Sequence, residues 1–368
     1  MLIADRMKKI DSSGIRKVFD LAAKMEDPIN FSIGQPDFDI PESIKQEAIK
    51  SISEGFNRYT QTAGMPELIE KLSANLKHSK NTTFEQLMIT SGVSGGLMLA
   101  FMALINPGDE VIIPDPYFVM YKHLVNLMGG VPRYLDTYPN FDIQAASLEA
   151  LITPKTKLLL LNSPANPTGK VYTRKELEVI LNIADKNGLF VISDEIYDEF
   201  FYGEDFVSPA SLYPNSLLLG GFSKTYAMTG WRIGYAAGPA SVLSEMIKLQ
   251  QYTFVCAPSF AQKASMVALD VDMSSYVAQY KAKRDIIFEG LKDRFHLVKP
   301  EGAFYAFPLL PEHVDANQFV EKAIAQNLLV IPGNVFSEKN RGFRISFATS
   351  DEKLNAGVNV LNNLAQEF

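Results

Sequence analysis

The sequence predicts an α/β protein, with a large domain built on a mostly parallel, seven-stranded sheet and a smaller α+β domain beside it. Three observations carry that expectation. From Gln86 onward, short apolar runs alternate with helix-like segments, the pattern of crossovers that sets neighbouring strands parallel. Most of these runs are apolar throughout rather than at every second position, as strands covered on both faces should be. The chain of 368 residues exceeds what one core of about 150 residues organises. Two domains follow: 29–255 as the large one, and 1–28 together with 256–368 as the small one.

Each element has a local reason. Residues 12–25 place Ile15, Val18, Phe19, Ala22 and Ala23 on one face of a helix. The segment 30–37 is an extended piece broken by Gly34 and Pro36. Helices are expected over 41–55 and 66–76, with a loop between them that contains Arg58, Tyr59 and Gly64. Strands are expected over 87–90, 110–113, 131–135, 157–162, 189–194, 216–220 and 232–237. The helices between them cover 95–105, 117–128, 147–152 and 173–186, the last opened by a Thr173 cap with Glu176 three residues on. A long helix after Pro239 leads into alternating helices and short strands.

Composition excludes several function classes. With 47% hydrophobic and 21% charged residues the chain is an ordinary globular one, and its net charge of −7 argues against nucleic-acid or anionic-membrane partners. No apolar run is long enough for a membrane span, and residues 1–20 lack the pattern of a secretory leader. The one cysteine, Cys256, has no internal partner, so a reducing cytoplasm is the expected setting. The four histidines, at 78, 123, 296 and 313, are scattered, and no metal site is expected.

The chemistry centres on Lys224. The apolar run 217–219 ends in two glycines, Ser223-Lys224 follows, Arg232 stands eight positions on, and a second apolar run covers 233–237. A lysine alone is ordinarily a solvated surface residue. Here Phe222, Tyr226, Met228 and Trp231 surround it in sequence, which predicts a partly dry pocket where its pKa falls and its amine becomes a nucleophile. Ser223 and Arg232 add a hydroxyl and a planar fork of donors, which suit a phosphate. The loop Ser91-Gly92-Val93-Ser94-Gly95-Gly96 follows a strand and opens a helix, so its amides form an anion seat. A dinucleotide is the rival ligand for that loop, with Asp115 near the acidic position, but the glycine spacing G-x-x-G-G departs from G-x-G-x-x-G.

The stretch from Ser223 to Tyr235 resembles the lysine motif of class I/II pyridoxal 5'-phosphate-dependent aminotransferases of fold type I, similar to aspartate aminotransferase. Further matches run in that family's order from Gly34 to Arg344. The resemblance implies that Lys224 holds the cofactor covalently and moves the substrate proton. It implies that Val93, Ser94, Gly95, Ser223 and Arg232 hold the phosphate, and that Tyr59 reaches the phosphate of a neighbouring subunit. Tyr117, otherwise a core aromatic, would lie flat on the pyridine ring. Asn166, in the turn Asn166-Pro167-Thr168-Gly169, would donate to the phenolate oxygen, with Tyr197 as its second partner. Asp194, at the end of an apolar strand, reads locally as a helix cap; the resemblance makes it the carboxylate that keeps the ring nitrogen protonated. Gly34 would approach the substrate carboxylate and Arg344 would clamp it, while Arg341 stays on the surface.

The implied reaction passes the amino group of an L-amino acid to a 2-oxo acid, in a homodimer with shared sites. Rival readings are a pyridoxal phosphate-dependent carbon–sulfur lyase and a non-catalytic binding module of the same fold. Where the aspartate-specific bacterial branch has a lysine to read a distal carboxylate, this chain has Ser94. Neutral or aromatic amino acids are therefore the expected donors, although another arginine of a neighbouring subunit, Arg58 being the obvious candidate, could supply the missing cation.

Overall fold

The structure is a computed structural model that describes residues 2–12, 14–203 and 205–367. A 3-10 helix at Asp5–Lys9 precedes α1 (Gly14–Ala22) and β1 (Ile29–Asn30), followed by α2 (Glu42–Ser53) and α3 (Pro66–Ser79). The large sheet then builds up through β2 (Gln86–Thr90), α4 (Gly92–Leu104), β3 (Glu110–Asp115), α5 (Met120–Leu127), β4 (Val131–Asp136) and α6 (Ala145–Leu151). It continues through β5 (Thr156–Asn162), α7 (Arg174–Lys186), β6 (Phe190–Asp194), α8 (Pro209–Leu212), β7 (Ser216–Gly221) and β8 (Gly234–Gly238). All seven expected strands join one sheet of order β2-β8-β7-β6-β5-β3-β4, and only β8 runs antiparallel to its neighbours.

After α9 (Ala240–Gln251) come α10 (Ser259–Ala268), α11 (Ser274–Leu291), β9 (Tyr305–Ala306), α12 (Ala316–Ala325), β10 (Leu328–Leu329), β11 (Ile331–Pro332), β12 (Phe343–Ser346) and α13 (Asp351–Leu364). Here β11, β12 and β9 form a small antiparallel sheet, and β1 pairs in parallel with β10. That pairing brings the extended segment after β1 against the C-terminal part of the chain.

Three departures from the sequence expectation bear on the site. The helix expected from 95 begins at Gly92, directly after β2, so Val93 and Ser94 occupy a first helical turn whose amides have no partner within the helix. The helix expected from 117 begins only at Met120, because the Tyr117 N–H is donated to the Phe336 carbonyl 2.7 Å away. The last strand begins at Gly234 rather than 232. A 3-10 turn covers Thr229–Trp231, and Arg232 takes a left-handed conformation with φ 56°. Gly234 is required by close approach, since a Cβ there would lie 2.7 Å from the Gly92 carbonyl carbon. The cap on α7 forms as its sequence predicts: Thr173 accepts from the Glu176 amide and Glu176 accepts from the Thr173 amide.

Candidate active site

In an open parallel sheet, ligands bind beyond the C-terminal ends of the strands. Asn162 closes β5, Asp194 closes β6 and Ser223-Lys224 follows β7, and all four line one cavity of about 820 Å³. The first turn of α4, the segment at 33–35, and Tyr305 and Arg344 from the small sheet complete it.

Lys224 projects into this cavity and donates to the Gly34 carbonyl. Its amine lies over the Tyr197 ring, 5.8 Å from the centroid. Burial pulls its pKa down to about 8, and the positive charges of Arg344 and Arg232 act in the same direction against the opposing pull of Asp194.

Asp194 is buried at the end of β6 and accepts from the Tyr121 hydroxyl at 2.7 Å and the Ile196 amide at 3.2 Å. Burial raises its carboxyl to about 6 against those two donors, with Glu195 adding repulsion. The strand ends are tied by Asn162, whose amide donates to the Asp194 carbonyl at 2.9 Å while its oxygen accepts from the Asn166 N–H at 2.8 Å. Tyr197 and Tyr305 share a hydroxyl–hydroxyl hydrogen bond of 2.8 Å, and burial holds the Tyr197 phenol far above its ordinary pKa.

Arg344 is 1% exposed. One nitrogen donates to the Asn166 side chain at 3.1 Å, another to the Ser32 carbonyl at 2.7 Å, and Nε has no partner among the described residues. Its guanidinium carbon lies 4.5 Å from the Tyr305 ring centroid and 4.6 Å from that of Phe336. Arg232 stands at the mouth of α4 and donates to the Thr229 carbonyl at 2.9 Å. A Cβ on Gly92 would fall 2.7 Å from its Nη2, so glycine there is what lets guanidinium and helix amides converge. Such a convergence suits a phosphate.

The structure thus brings Gly34, Val93, Ser94, Asn166, Asp194, Tyr197, Ser223, Lys224, Arg232 and Arg344 to one cavity. Three expected residues stand elsewhere. Tyr117 is outside the cavity wall: its ring stacks on Tyr134 at 5.3 Å and its hydroxyl donates to Glu338, because its backbone is held on Phe336 rather than wound into α5. The aromatic that lines the cavity is the next residue, Phe118. Gly95 is buried beside the wall, and its amide is spent on the Ser91 carbonyl inside α4. Tyr59 is 84% exposed and far from being enclosed by its own chain's site. Arg341 forms an exposed pair with Glu312, as expected of a surface residue. Sequence reasoning missed Phe118, Tyr121, Asn162 and Tyr305. Of these only Asn162 carried a local signal, its place at the end of a buried strand. No group of three or more His, Cys, Asp or Glu side chains among the described residues is placed to hold a metal ion.

A buried lysine of lowered pKa, a carboxylate at the strand end and a phosphate seat define an enzyme that handles carbonyl and amine groups through a lysine nucleophile. Comparison with known proteins gives the family. Residues 26–361 match the model for aminotransferase class I and II, and the chain belongs to that family of pyridoxal phosphate-dependent enzymes. It is 40% identical to a probable aspartate aminotransferase of Methanocaldococcus jannaschii, over 99% of this chain and 100% of that one. It is 36% identical to the aromatic-amino-acid aminotransferase 2 of Thermococcus litoralis, over 100% and 99% of the two chains. Among solved structures, the aspartate aminotransferase from Rhizobium meliloti superposes with a TM-score of 0.92 at 33% identity, covering 100% of this chain and 99% of that one. The activity is amino-group transfer.

One buried charge cluster next to this site takes no part in that chemistry. Lys80, at the end of α3, lies 2.6 Å from Asp198 and 3.1 Å from Glu195, the fully buried neighbour of Asp194. Burial alone would lower the Lys80 pKa, but the Asp198 and Glu195 carboxylates outweigh it and keep the ammonium charged. Ser193 and Ser208 donate to the other Glu195 oxygen at 2.9 and 2.6 Å. The chain just past Asp194 is thereby pinned to α3. Removing one member of a buried pair strands the other charge, so Lys80→Met is expected to cost about 3–5 kcal/mol in urea unfolding. Adding Glu195→Gln should recover part of that loss; an unchanged unfolding midpoint in the single variant would contradict the account.

Proposed function

We propose that this aminotransferase works on pyridoxal 5'-phosphate held by Lys224 and prefers neutral, apolar or aromatic L-amino acids as donors to a 2-oxo acid. The observation that carries the reading is the convergence in one cavity of a weakened lysine base, a buried carboxylate and a buried arginine fork. The residues fit the cofactor: a phosphate has the α4 amides of Val93 and Ser94, Ser223 and Arg232, with Gly92 leaving the room, and a pyridine nitrogen has Asp194. When bound, the cofactor supplies an aldehyde for the amine and a ring that takes up the electron pair left at Cα.

The chain's own groups do the rest. With a pKa of about 8, Lys224 Nζ is neutral in roughly a tenth of molecules at pH 7, far more than an ordinary lysine, and so serves as nucleophile and as carrier of the Cα proton. Asp194, whose carboxylate is oriented by the Tyr121 hydroxyl and the Ile196 amide, would hold a proton on the cofactor's ring nitrogen. Asn166 and Tyr197 would donate to the cofactor's phenolate oxygen, and Phe118, which lines the cavity, would take the ring-packing part first expected of Tyr117. Arg344, with Gly34 nearby, receives the α-carboxylate. Borohydride reduction of the holoenzyme followed by peptide mapping should find the pyridoxyl group on Lys224; a label on another lysine refutes the assignment.

We infer a homodimer with shared sites and two domains per chain. Tyr59 and Arg58 are exposed on one protomer, which leaves Tyr59 free to serve a neighbour's phosphate. Mixing an inactive Tyr59 variant with an inactive Lys224 variant should then restore activity through hybrid dimers, and a monomer in sedimentation would rule this out. The large domain is drawn at 29–255, with 1–28 and 256–368 in the small one. Packing of α10 on α2 and on the Leu218 and Phe222 side of the sheet extends the large unit through that helix. No helix among the described residues is long and apolar enough to cross a membrane, and the single free Cys256 suits a cytoplasmic setting.

For the substrate side chain, the cavity wall offers Ile10, Ile15, Leu97, Phe118, Leu124 and Leu127, and Ser94 supplies no charge. Lys224, Arg232 and Arg344, its cations among the described residues, already have roles. A second carboxylate would forgo a charge-assisted pair worth roughly 1.5–3 kcal/mol. In a panel with a common oxo-acid acceptor, kcat/KM for leucine, methionine or phenylalanine should exceed that for aspartate. A higher value for aspartate than for all of them would overturn the preference.

A further inference from the structure

The loop between β11 and β12 carries Phe336, whose ring packs on the Arg344 guanidinium, and the same loop is fastened to the C-terminal edge of the large sheet. Five side chains of the large part make the fastening, one of them Asp136, which pairs with Lys339 at 2.6 Å on the surface. Tyr117 donates its hydroxyl to Glu338 at 2.5 Å, and Lys122 reaches the same carboxylate oxygen at 3.2 Å. Asp115 accepts from the Glu338 amide at 3.1 Å, and the Tyr138 hydroxyl donates to Ser337 at 3.0 Å. The Tyr117 amide donates to the Phe336 carbonyl itself at 2.7 Å. None of these groups lines the active-site cavity, so the cluster is unexplained by the transfer chemistry.

Its two ends are nonetheless both attached to the site. On one side the residue after Tyr117 is Phe118, part of the cavity wall. On the other, Phe336 is fully buried against Arg344, which has no carboxylate partner among the described residues and is held by two ring faces and two hydrogen bonds. Moving Phe336 away would remove one of those faces and leave the fork free to tilt.

We propose that Tyr117 and Glu338 are positioning residues for Arg344: their hydrogen bond locks the 336–338 loop to the end of β3, and so sets Phe336 and the arginine fork at the distance from the Phe118 wall that a substrate requires. The inference rests on the reading of Arg344 as the α-carboxylate clamp. A hydroxyl-to-carboxylate bond across two chain segments far apart in sequence, with the Tyr117 side buried and the Glu338 carboxylate at the surface, is suited to this task because it fixes direction as well as distance.

The test compares Tyr117→Phe, Glu338→Gln, both together, Arg344→Lys and Arg341→Ala, the last an exposed neighbour outside the cluster. Steady-state kinetics are run on each holoenzyme, and binding of 3-phenylpropanoate, a carboxylate without an amine, is measured by calorimetry on each apoprotein. Either single latch variant should raise KM for both amino acid and oxo acid about five- to ten-fold, the scale of one lost hydrogen bond. Both should weaken 3-phenylpropanoate by a similar factor, with kcat within about two-fold and cofactor affinity unchanged. The double variant should be no worse than either single one, since the pair is one interaction. Latch variants that match Arg341→Ala in both readouts overturn the proposal, as does a loss confined to kcat. Failure of Arg344→Lys to weaken 3-phenylpropanoate would instead overturn the clamp reading beneath it. Should a latch variant precipitate, Lys122→Met, which removes only the cation from Glu338, carries the same expectation at smaller size.

Discussion

Three cations share this cavity, and all three are held by backbone carbonyls rather than by carboxylates. Lys224 donates to Gly34, Arg344 to Ser32 and Arg232 to Thr229, and none of them forms an ion pair with an acid among the described residues. A carbonyl fixes the position of a charged donor without cancelling its charge. The positive potential therefore stays available for anionic groups of a cofactor and substrate, and the same potential, added to burial, is what brings Lys224 down to about 8.

Much of the fold follows from that arrangement. The extended segment that offers the Ser32 and Gly34 carbonyls must lie across the cavity, and β1 holds it there by pairing with β10. Arg232 must turn sharply between the lysine loop and β8, which it does in a left-handed conformation that a non-glycine residue adopts only at a cost of about 1–3 kcal/mol. Close contact between Gly92 and Gly234 then sets the α4 amides beside its guanidinium. Asp194 gains its place differently, from a strand end tied to β5 through Asn162 and pinned to α3 by the buried Lys80. Positive and negative halves of the site are thus anchored by separate parts of the molecule.

Tyr117 lies in the core, as its local setting suggests, and not on the ligand as the family resemblance implies. Asp115-Pro116-Tyr117 reads as the start of a helix whose aromatic is a core residue, and the family resemblance implies that it lies on the ligand's ring. In the fold, a hydrogen bond to Phe336, more than two hundred positions away in sequence, keeps that stretch out of the helix and turns the next side chain toward the cavity. Register along a non-helical segment alternates from residue to residue, so a single long-range bond decides which aromatic reaches the site.

What the sequence determined by itself is the sheet, the lysine and the strand-end groups. Seven apolar runs sufficed because burial on both faces leaves few polar positions to confuse the pattern, and Asp194 closes a strand while Asn166 and Lys224 sit just beyond strands, where the chain direction alone aims them at the ligand edge. Only the tertiary structure decided the parts that depend on partners distant in the chain. Tyr121 reaches Asp194, Tyr305 meets Tyr197 across the two halves, Phe336 packs on Arg344, and Lys80 lies against Glu195. Each is a contact between segments with no shared periodicity: Tyr305 reaches Tyr197 as the small sheet docks on the large one, Phe336 packs on Arg344 as its loop folds over β12, and Tyr121 and Lys80 come from α5 and the end of α3 to the end of β6, and no local pattern encodes such docking.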